Sequence, residues 1–134
     1  MATLIAHSPE PATQHFADRL ATLLKDQRGV TIAVVDLARA ARYVENVDAV
    51  IVVAEATEET FNHPARNFLT SQHAELDNTS VFIVALGTAP RLTKTQQIAM
   101  DAFEPRDTAY FRTDALDEAA LNTWVGQITL HGVV

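Results

Sequence analysis

The sequence predicts an α/β fold in which helices cover both faces of a single doubly wound, five-stranded parallel sheet. Short β-branched and apolar runs alternate along the chain with longer stripes at helical spacing. Three of the runs are almost entirely apolar, which is typical of parallel strands buried on both faces. The predicted strands are Thr3 to Ala6, Thr31 to Leu37, Ala49 to Val53, Val81 to Leu86 and Thr108 to Thr113.

Apolar residues at helical spacing predict one amphipathic helix after the first strand and another after the third. The first stripe consists of Phe16, Leu20, Leu23 and Leu24. The second consists of Ala65, Phe68 and Leu69. Pro64 precedes the second stripe and suits the first turn of a helix, where no N–H group is needed. Residues 38–47, between the second and third strands, are enough for a short helix.

Two further stripes lie on either side of the last strand. The stripe before it consists of Thr95, Ile98, Ala99, Ala102 and Phe103. The stripe after it consists of Ala120, Leu121, Trp124, Val125 and Ile128. We predict Asp114 as the N-cap of the final helix, because its carboxylate accepts hydrogen bonds from the first N–H groups, and Asp117 follows three residues later.

The composition predicts one cytoplasmic domain that spans residues 1–134. The chain has no cysteine, which excludes disulfides, thiolate metal sites and thiol nucleophiles. No apolar segment approaches the length of about 18 residues that a membrane-spanning helix needs, so we expect no membrane partner. The formal net charge of -7 disfavours nucleic acid and anionic membrane, and it favours either solubility or a basic protein partner. The oligomeric state stays open, and a homodimer is one of the alternatives.

Two segments resemble the flavodoxins and the NAD(P)H-dependent FMN reductases, and the resemblance covers nearly the whole chain. Residues 8–13 (Ser-Pro-Glu-Pro-Ala-Thr) look like the phosphate loop of these proteins. Residues 47–53 resemble the apolar strand that enters their flavin-contacting loop, and a helix with a similar pattern at Pro64, Ala65 and Phe68 follows. The resemblance implies a flavodoxin-like fold with strand order 2-1-3-4-5. It also implies FMN at the carboxyl edge of the sheet, and electron transfer that involves NAD(P)H in the reductases.

The resemblance also implies a set of flavin-contacting residues. The hydroxyls of Ser8 and Thr13 match its phosphate-binding positions, residues 54–62 flank the flavin ring on one side, and residues 87–89 line the other. The implied FMN-binding residues are Ser8, Glu10, Ala12, Thr13, Ala56, Thr57, Phe61, Asn62, Gly87 and Thr88. Because the cofactor performs the chemistry, no side chain is needed as a catalytic acid or base.

The phosphate loop departs from the family pattern at two positions. A glycine is usual near Pro11, and the proline both stiffens the loop and removes an N–H donor. At an effective dielectric constant of about 20, a Glu10 carboxylate about 6 Å from a phosphate charge repels it by roughly 3 kcal/mol. Glu55, Glu58 and Glu59 add negative charge in the next loop. The sequence therefore predicts a weakened flavin site.

A second hypothesis is a flavodoxin-like scaffold that has lost flavin and acts as an interaction or regulatory module. Hydroxyls at the start of a helix often serve only as caps or turn residues, and acidic runs are often solvated. Phe61 is better explained as a hydrophobic staple onto Ala65 or Phe68.

A zinc site is a third alternative, and its ligands would be His7, Glu10, Glu55 and His63. We disfavour it because no two of these residues have the close helical spacing of a metal motif, and we therefore predict no metal site. The serines lack a nucleophile elbow, so the sequence does not indicate a hydrolase.

Overall fold

The structure is a computed structural model that describes residues 2–28, 31–44, 47–57, 63–72, 74, 76 and 79–131. Its strands form one parallel sheet in the order β2-β1-β3-β4-β5, which confirms the predicted fold class and strand order. The strands are β1 (Ala2–His7), β2 (Thr31–Asp36), β3 (Ala49–Glu55), β4 (Ser80–Gly87) and β5 (Asp107–Arg112).

Helices cover both faces of the sheet. They are α1 (Pro11–Arg28), α2 (Leu37–Ala40), α3 (His63–Ser71), α4 (Lys94–Asp101) and α5 (Glu118–His131). Helices α1 and α5 pack on one face, and α2, α3 and α4 pack on the other. The short helix predicted between the second and third strands is α2.

The two faces of the sheet carry two apolar cores, because successive side chains of a strand point to opposite sides. In β3, Ile51 and Val53 pack towards α1 and α5. Val50 and Val52 of the same strand pack towards α2 and α3. All four side chains are fully buried, which explains why this strand is an unbroken apolar run.

The predicted strand ends are correct to within one or two residues, with one informative difference at Leu37. The prediction extends the second strand through Leu37, whereas the structure ends β2 at Asp36. The Asp36 carboxylate accepts a hydrogen bond of 2.8 Å from the N–H of Ala38. This N-cap begins α2 at Leu37, and the apolar side chain of Leu37 is buried as a helix residue.

The stripe predicted before the last strand is only partly correct, because Phe103 packs against the core and Ile98 does not. Ile98 is 60% exposed, and Met100 is the fully buried residue of this helix. The helix α4 ends at Asp101, so Ala102 and Phe103 lie beyond it and do not extend a helical face. A capping box between Thr93 and Gln96 sets the start of α4.

The predicted N-cap of the final helix is also wrong. The Asp117 carboxylate accepts a hydrogen bond of 3.0 Å from the N–H of Ala120, and α5 begins at Glu118. Asp114 instead accepts two hydrogen bonds from the Arg112 guanidinium, of 2.9 and 3.1 Å. Of the predicted stripe, Ala120 is exposed, and the other four residues are buried.

Within the described ranges, none of the helices is both long enough and apolar enough to cross a bilayer.

Candidate functional site

The candidate site lies where β1, β3 and β4 end side by side. His7 of β1 pairs with Val53 of β3, and Glu55 of β3 pairs with Leu86 of β4. The chain leaves β1 towards β2 on one side, and later strands are added on the other side, so the strand order reverses here. Such a reversal opens a crevice at the carboxyl ends of the strands, and α/β proteins bind ligands in it.

Internal hydrogen bonds hold the loop between β1 and α1 in place. Ser8 and Thr13 are both fully buried. The Ser8 hydroxyl donates to the Thr13 hydroxyl oxygen over 3.0 Å. The single Thr13 hydroxyl hydrogen is shared between the carbonyl oxygens of Ser8 and Glu10, at 2.7 and 2.9 Å. The structure therefore brings these two predicted residues together, and each bonds within the loop.

The backbone at the start of α1 leaves two donors unpaired. Pro11 has no N–H group, and the N–H of Gln14 donates to the carbonyl of Glu10 over 3.1 Å. The N–H groups of Ala12 and Thr13 have no acceptor among the described residues. Together with the helix dipole, these two donors form an anion-binding position at the crevice.

Two carboxylates interact with each other at this edge, and one of them, Glu10, belongs to the loop that leads to these donors. Burial raises the pKa of the Glu55 carboxyl, and the nearby negative charge of Glu10 raises it further. The predicted crowding of acidic groups is therefore present between Glu10 and Glu55. Glu58, Glu59, Phe61 and Asn62 lie outside the described residues.

The loop after β4 is held by a tyrosine that sequence reasoning missed. The Tyr110 hydroxyl donates a hydrogen bond of 2.8 Å to the carbonyl oxygen of Ala89. A Cβ atom on Gly87 would lie only 2.8 Å from the Tyr110 hydroxyl oxygen, so glycine permits this close approach. Thr88, the next predicted contact, lies between these anchors and is exposed. The register between β4 and β5 sets this packing, and no local sequence signal indicates it.

The loop after β3 is tied to its neighbours on two sides. The N–H of Ala56 donates to the carbonyl of Leu86 over 2.8 Å. The Gln96 side-chain amide donates to the carbonyl of Thr57, and its oxygen accepts a hydrogen bond of 2.8 Å from the N–H of Thr93. Thr57 and Ala56 thus lie at the same edge as Gly87. The Thr-x-x-Gln pattern at residues 93–96 is typical of a capping box, so the sequence could have indicated that Gln96 caps α4.

In the described part of the chain, no three His, Asp or Glu residues are close enough together to hold a metal ion.

Comparison with known proteins identifies the family. The model of the flavodoxin domain matches residues 4–128. The chain belongs to the flavodoxin family. A comparison with curated protein sequences gives no significant match.

Solved structures of flavodoxins share the fold of this flavodoxin domain. Oxidised flavodoxin 1 from Bacillus cereus superposes with a TM-score of 0.73 at 13% identity, covering 98% of this chain and 99% of that one. The apo form of an NADH:FMN oxidoreductase gives a TM-score of 0.76 at 12% identity, covering 96% and 88%. A short-chain flavodoxin associated with a non-canonical PDU bacterial microcompartment gives 0.74 at 12% identity, covering 96% and 97%. At these identities the likeness establishes the fold.

Proposed function

We propose that this flavodoxin-family protein binds FMN weakly at the carboxyl edge of β1, β3 and β4. The protein then acts as an electron carrier or as a flavin reductase that takes electrons from NAD(P)H. The observation that carries the proposal is that the N–H groups of Ala12 and Thr13, at the start of α1, have no acceptor among the residues that the structure describes. A phosphate monoester supplies the acceptors that these donors lack.

On this proposal, different parts of the described chain contact the phosphate and the ring of the flavin. Ala12 and Thr13 bind the phosphate through the backbone, and the buried Ser8 hydroxyl keeps the loop in shape. The segments around Thr57 and Thr88 flank the ring, and the hydrogen bonds to Thr57 and Ala89 limit how far those segments move. When bound, flavin supplies the electron-accepting ring, and the protein supplies orientation and electrostatics. Phe61 and Asn62 keep their predicted role as flavin contacts.

The backbone N–H donors suit a phosphate group, but nearby negative charges weaken its binding. Glu10 lies in the loop that ends at the two donors, and Glu55 lies close enough to interact with it. Both carboxylates repel a phosphate at neutral pH. We therefore expect the affinity for FMN to be lower than the backbone donors alone would give.

A comparison of two flavins tests the proposal. Riboflavin has the same ring as FMN and no phosphate, so it reports ring binding alone. We expect saturable quenching of flavin fluorescence by the protein with both compounds, and tighter binding of FMN. Reduction of the bound flavin by NADH or NADPH, followed by absorbance, then separates a reductase from a carrier. No saturable quenching with either flavin would overturn the proposal.

The flavin-free interaction module is the second candidate. It is favoured by the Glu10 and Glu55 carboxylates at the phosphate position and by the internal bonding of the Ser8 and Thr13 hydroxyls. On this hypothesis the acidic edge contacts a basic protein partner. A protein that quenches neither flavin, and that binds a lysine- and arginine-rich peptide in a salt-dependent manner, would support this candidate.

A further inference from the structure

A second cleft opens on the other side of β1, where β1 and β2 end together. It encloses about 400 Å³, within the range of small-molecule sites. Its polar lining comes from His7, Gln14, Asp36, Arg39 and Tyr43. The proposed flavin site lies on the β3 and β4 side of β1, and none of its residues lines this cleft. The cleft therefore adjoins the proposed flavin site through His7 and Gln14, but it is lined by different residues.

His7 presents a buried, unpaired acceptor in this cleft. His7 is 7% exposed and lines the cleft. Its Nδ1 lies 2.8 Å from the carbonyl oxygen of Ser8, and because a carbonyl only accepts, Nδ1 carries the hydrogen. In the neutral ring, Nε2 is then a hydrogen-bond acceptor, and it has no partner among the described residues. This nitrogen is therefore available to a ligand that donates a hydrogen bond to it.

Asp36 places a second acceptor beside His7. The two residues are direct partners in the pairing of β1 with β2, and partners on neighbouring parallel strands point to the same face. One carboxylate oxygen of Asp36, Oδ1, accepts from the N–H of Ala38. The other oxygen, Oδ2, has no partner in the described part of the chain. Two acceptors on adjacent strands match the two hydroxyl donors of a vicinal diol.

The rim of the cleft supplies a flat surface and a positive charge. Tyr43 is 41% exposed, although large aromatic side chains are usually more buried. Arg39 is exposed on α2 and suits a phosphate group. A ribose diol, an aromatic base and a phosphate are together the three parts of a ribonucleotide.

We propose that this cleft binds a ribonucleoside 5′-monophosphate. The ribose hydroxyls donate to Nε2 of His7 and to the free oxygen of Asp36, the base stacks on Tyr43, and the phosphate pairs with Arg39. The assignment is independent of FMN, because it uses neither Ala12 nor Thr13.

The test uses the intact protein and four probes, AMP, GMP, CMP and UMP, each added separately to millimolar concentration. Imidazole proton–nitrogen correlation spectra report the His7 ring directly. We expect at least one probe to shift the His7 Nε2 resonance saturably. The 2′-deoxy form of that probe should bind about tenfold more weakly, because it lacks one hydroxyl donor.

Two variants assign the contacts. His7→Asn keeps a donor close to the Nδ1 position and removes Nε2, and Asp36→Asn keeps a side chain that caps α2. Each variant should bind the probe about tenfold more weakly than the unmodified protein does. His15→Asn is the matched control, because His15 is an exposed histidine of α1 that does not line this cleft. It should bind the probe as the unmodified protein does.

Three outcomes would overturn the proposal. The first is that none of the four probes shifts the His7 resonances. The second is that the 2′-deoxy form binds as well as the ribonucleotide. The third is that Asp36→Asn leaves the affinity unchanged, which would place the nucleotide elsewhere, for example at the start of α1. Because Asp36→Asn keeps the cap of α2, this last outcome decides the matter even if His7→Asn does not fold.

Discussion

The Ser8 hydroxyl donates a hydrogen bond to the hydroxyl oxygen of Thr13 across 3.0 Å, and both side chains are fully excluded from solvent. The Thr13 hydroxyl in turn donates to carbonyl oxygens of the same loop. The two residues are five positions apart, and they join the end of β1 to the first turn of α1. This bond gives the loop its shape, so that the backbone N–H groups of Ala12 and Thr13 remain as the unpaired donors.

Removing the Thr13 hydroxyl should destabilise the fold. Thr13→Val keeps the side-chain volume, and it leaves the Ser8 hydroxyl without its acceptor in a buried position. We expect the free energy of unfolding in urea to fall by about 1–3 kcal/mol. Thr13→Ser retains the hydroxyl and is the control, with a smaller loss. Equal losses in the two variants would show that the methyl group, and not the hydroxyl, stabilises the loop.

Neutralising Glu10 should strengthen FMN binding. Glu10→Gln removes a charge beside the phosphate position, and we expect affinity for FMN to rise by up to about a hundredfold if the two charges are about 6 Å apart. Riboflavin has no phosphate, so its affinity should stay the same in fluorescence titrations. A similar gain for both flavins would mean that Glu10 acts on the ring and not on the phosphate.

The double change Glu10→Gly with Pro11→Gly should raise FMN affinity further, because it also restores an N–H donor. Pro11 is the first residue of α1, a position that favours proline. We therefore expect a small loss of stability together with the gain in affinity, measured by urea unfolding and by FMN titration. An unchanged FMN titration would refute the description of this loop as a weakened phosphate site.

Glu55 should make the stability of the protein depend on pH. Burial and Glu10 raise the pKa of its carboxyl above the ordinary value of 4.5 in the folded state. The folded protein then holds this proton at a higher pH than the unfolded chain does. This contribution to stability is complete below the unfolded pKa and is lost as the pH rises through the folded pKa.

The variant Glu55→Gln removes this titration. Its stability relative to the unmodified protein should increase as the pH rises from below 4.5 through the raised pKa of the folded state, because the native carboxyl ionises there. Urea unfolding at several pH values measures the difference, and Glu10→Gln should reduce the slope without abolishing it. A difference that does not change with pH would show that Glu55 titrates alike in the folded and unfolded states.

Gly87 and Tyr110 should be coupled energetically. A methyl group at Gly87 would lie 2.8 Å from the Tyr110 hydroxyl oxygen, which is held by Ala89. We expect Gly87→Ala to lower the free energy of unfolding by about 1–3 kcal/mol. In a Tyr110→Phe background the hydroxyl is absent, so the same change should cost less. Strict additivity of the two substitutions in urea unfolding would contradict this coupling.

Elements with strong local signals were predictable from the sequence. The apolar run at 49–53 predicted a buried parallel strand, and the stripe of Ala65, Phe68 and Leu69 predicted a helix face that is buried in the structure. The prediction for α4 failed because Thr95 and Ile98, both inside the helix, face solvent, whereas Met100 is the residue that faces the core. The N-cap of α5 was misplaced because Asp114 pairs with the nearby Arg112, and sequence pattern alone did not choose between Asp114 and Asp117.

The sequence by itself determined the layered α/β architecture, the number of strands and the position of the β1–α1 loop, because periodicity and capping are properties of neighbouring residues. Only the tertiary structure decided which side chains of that loop bond to one another and that Glu10 lies near Glu55. The same holds for the pairing of His7 with Asp36, which lie 29 positions apart and meet through the register of β1 with β2. Such contacts depend on how strands align, and the energy of that alignment is spread over the whole sheet and its two cores.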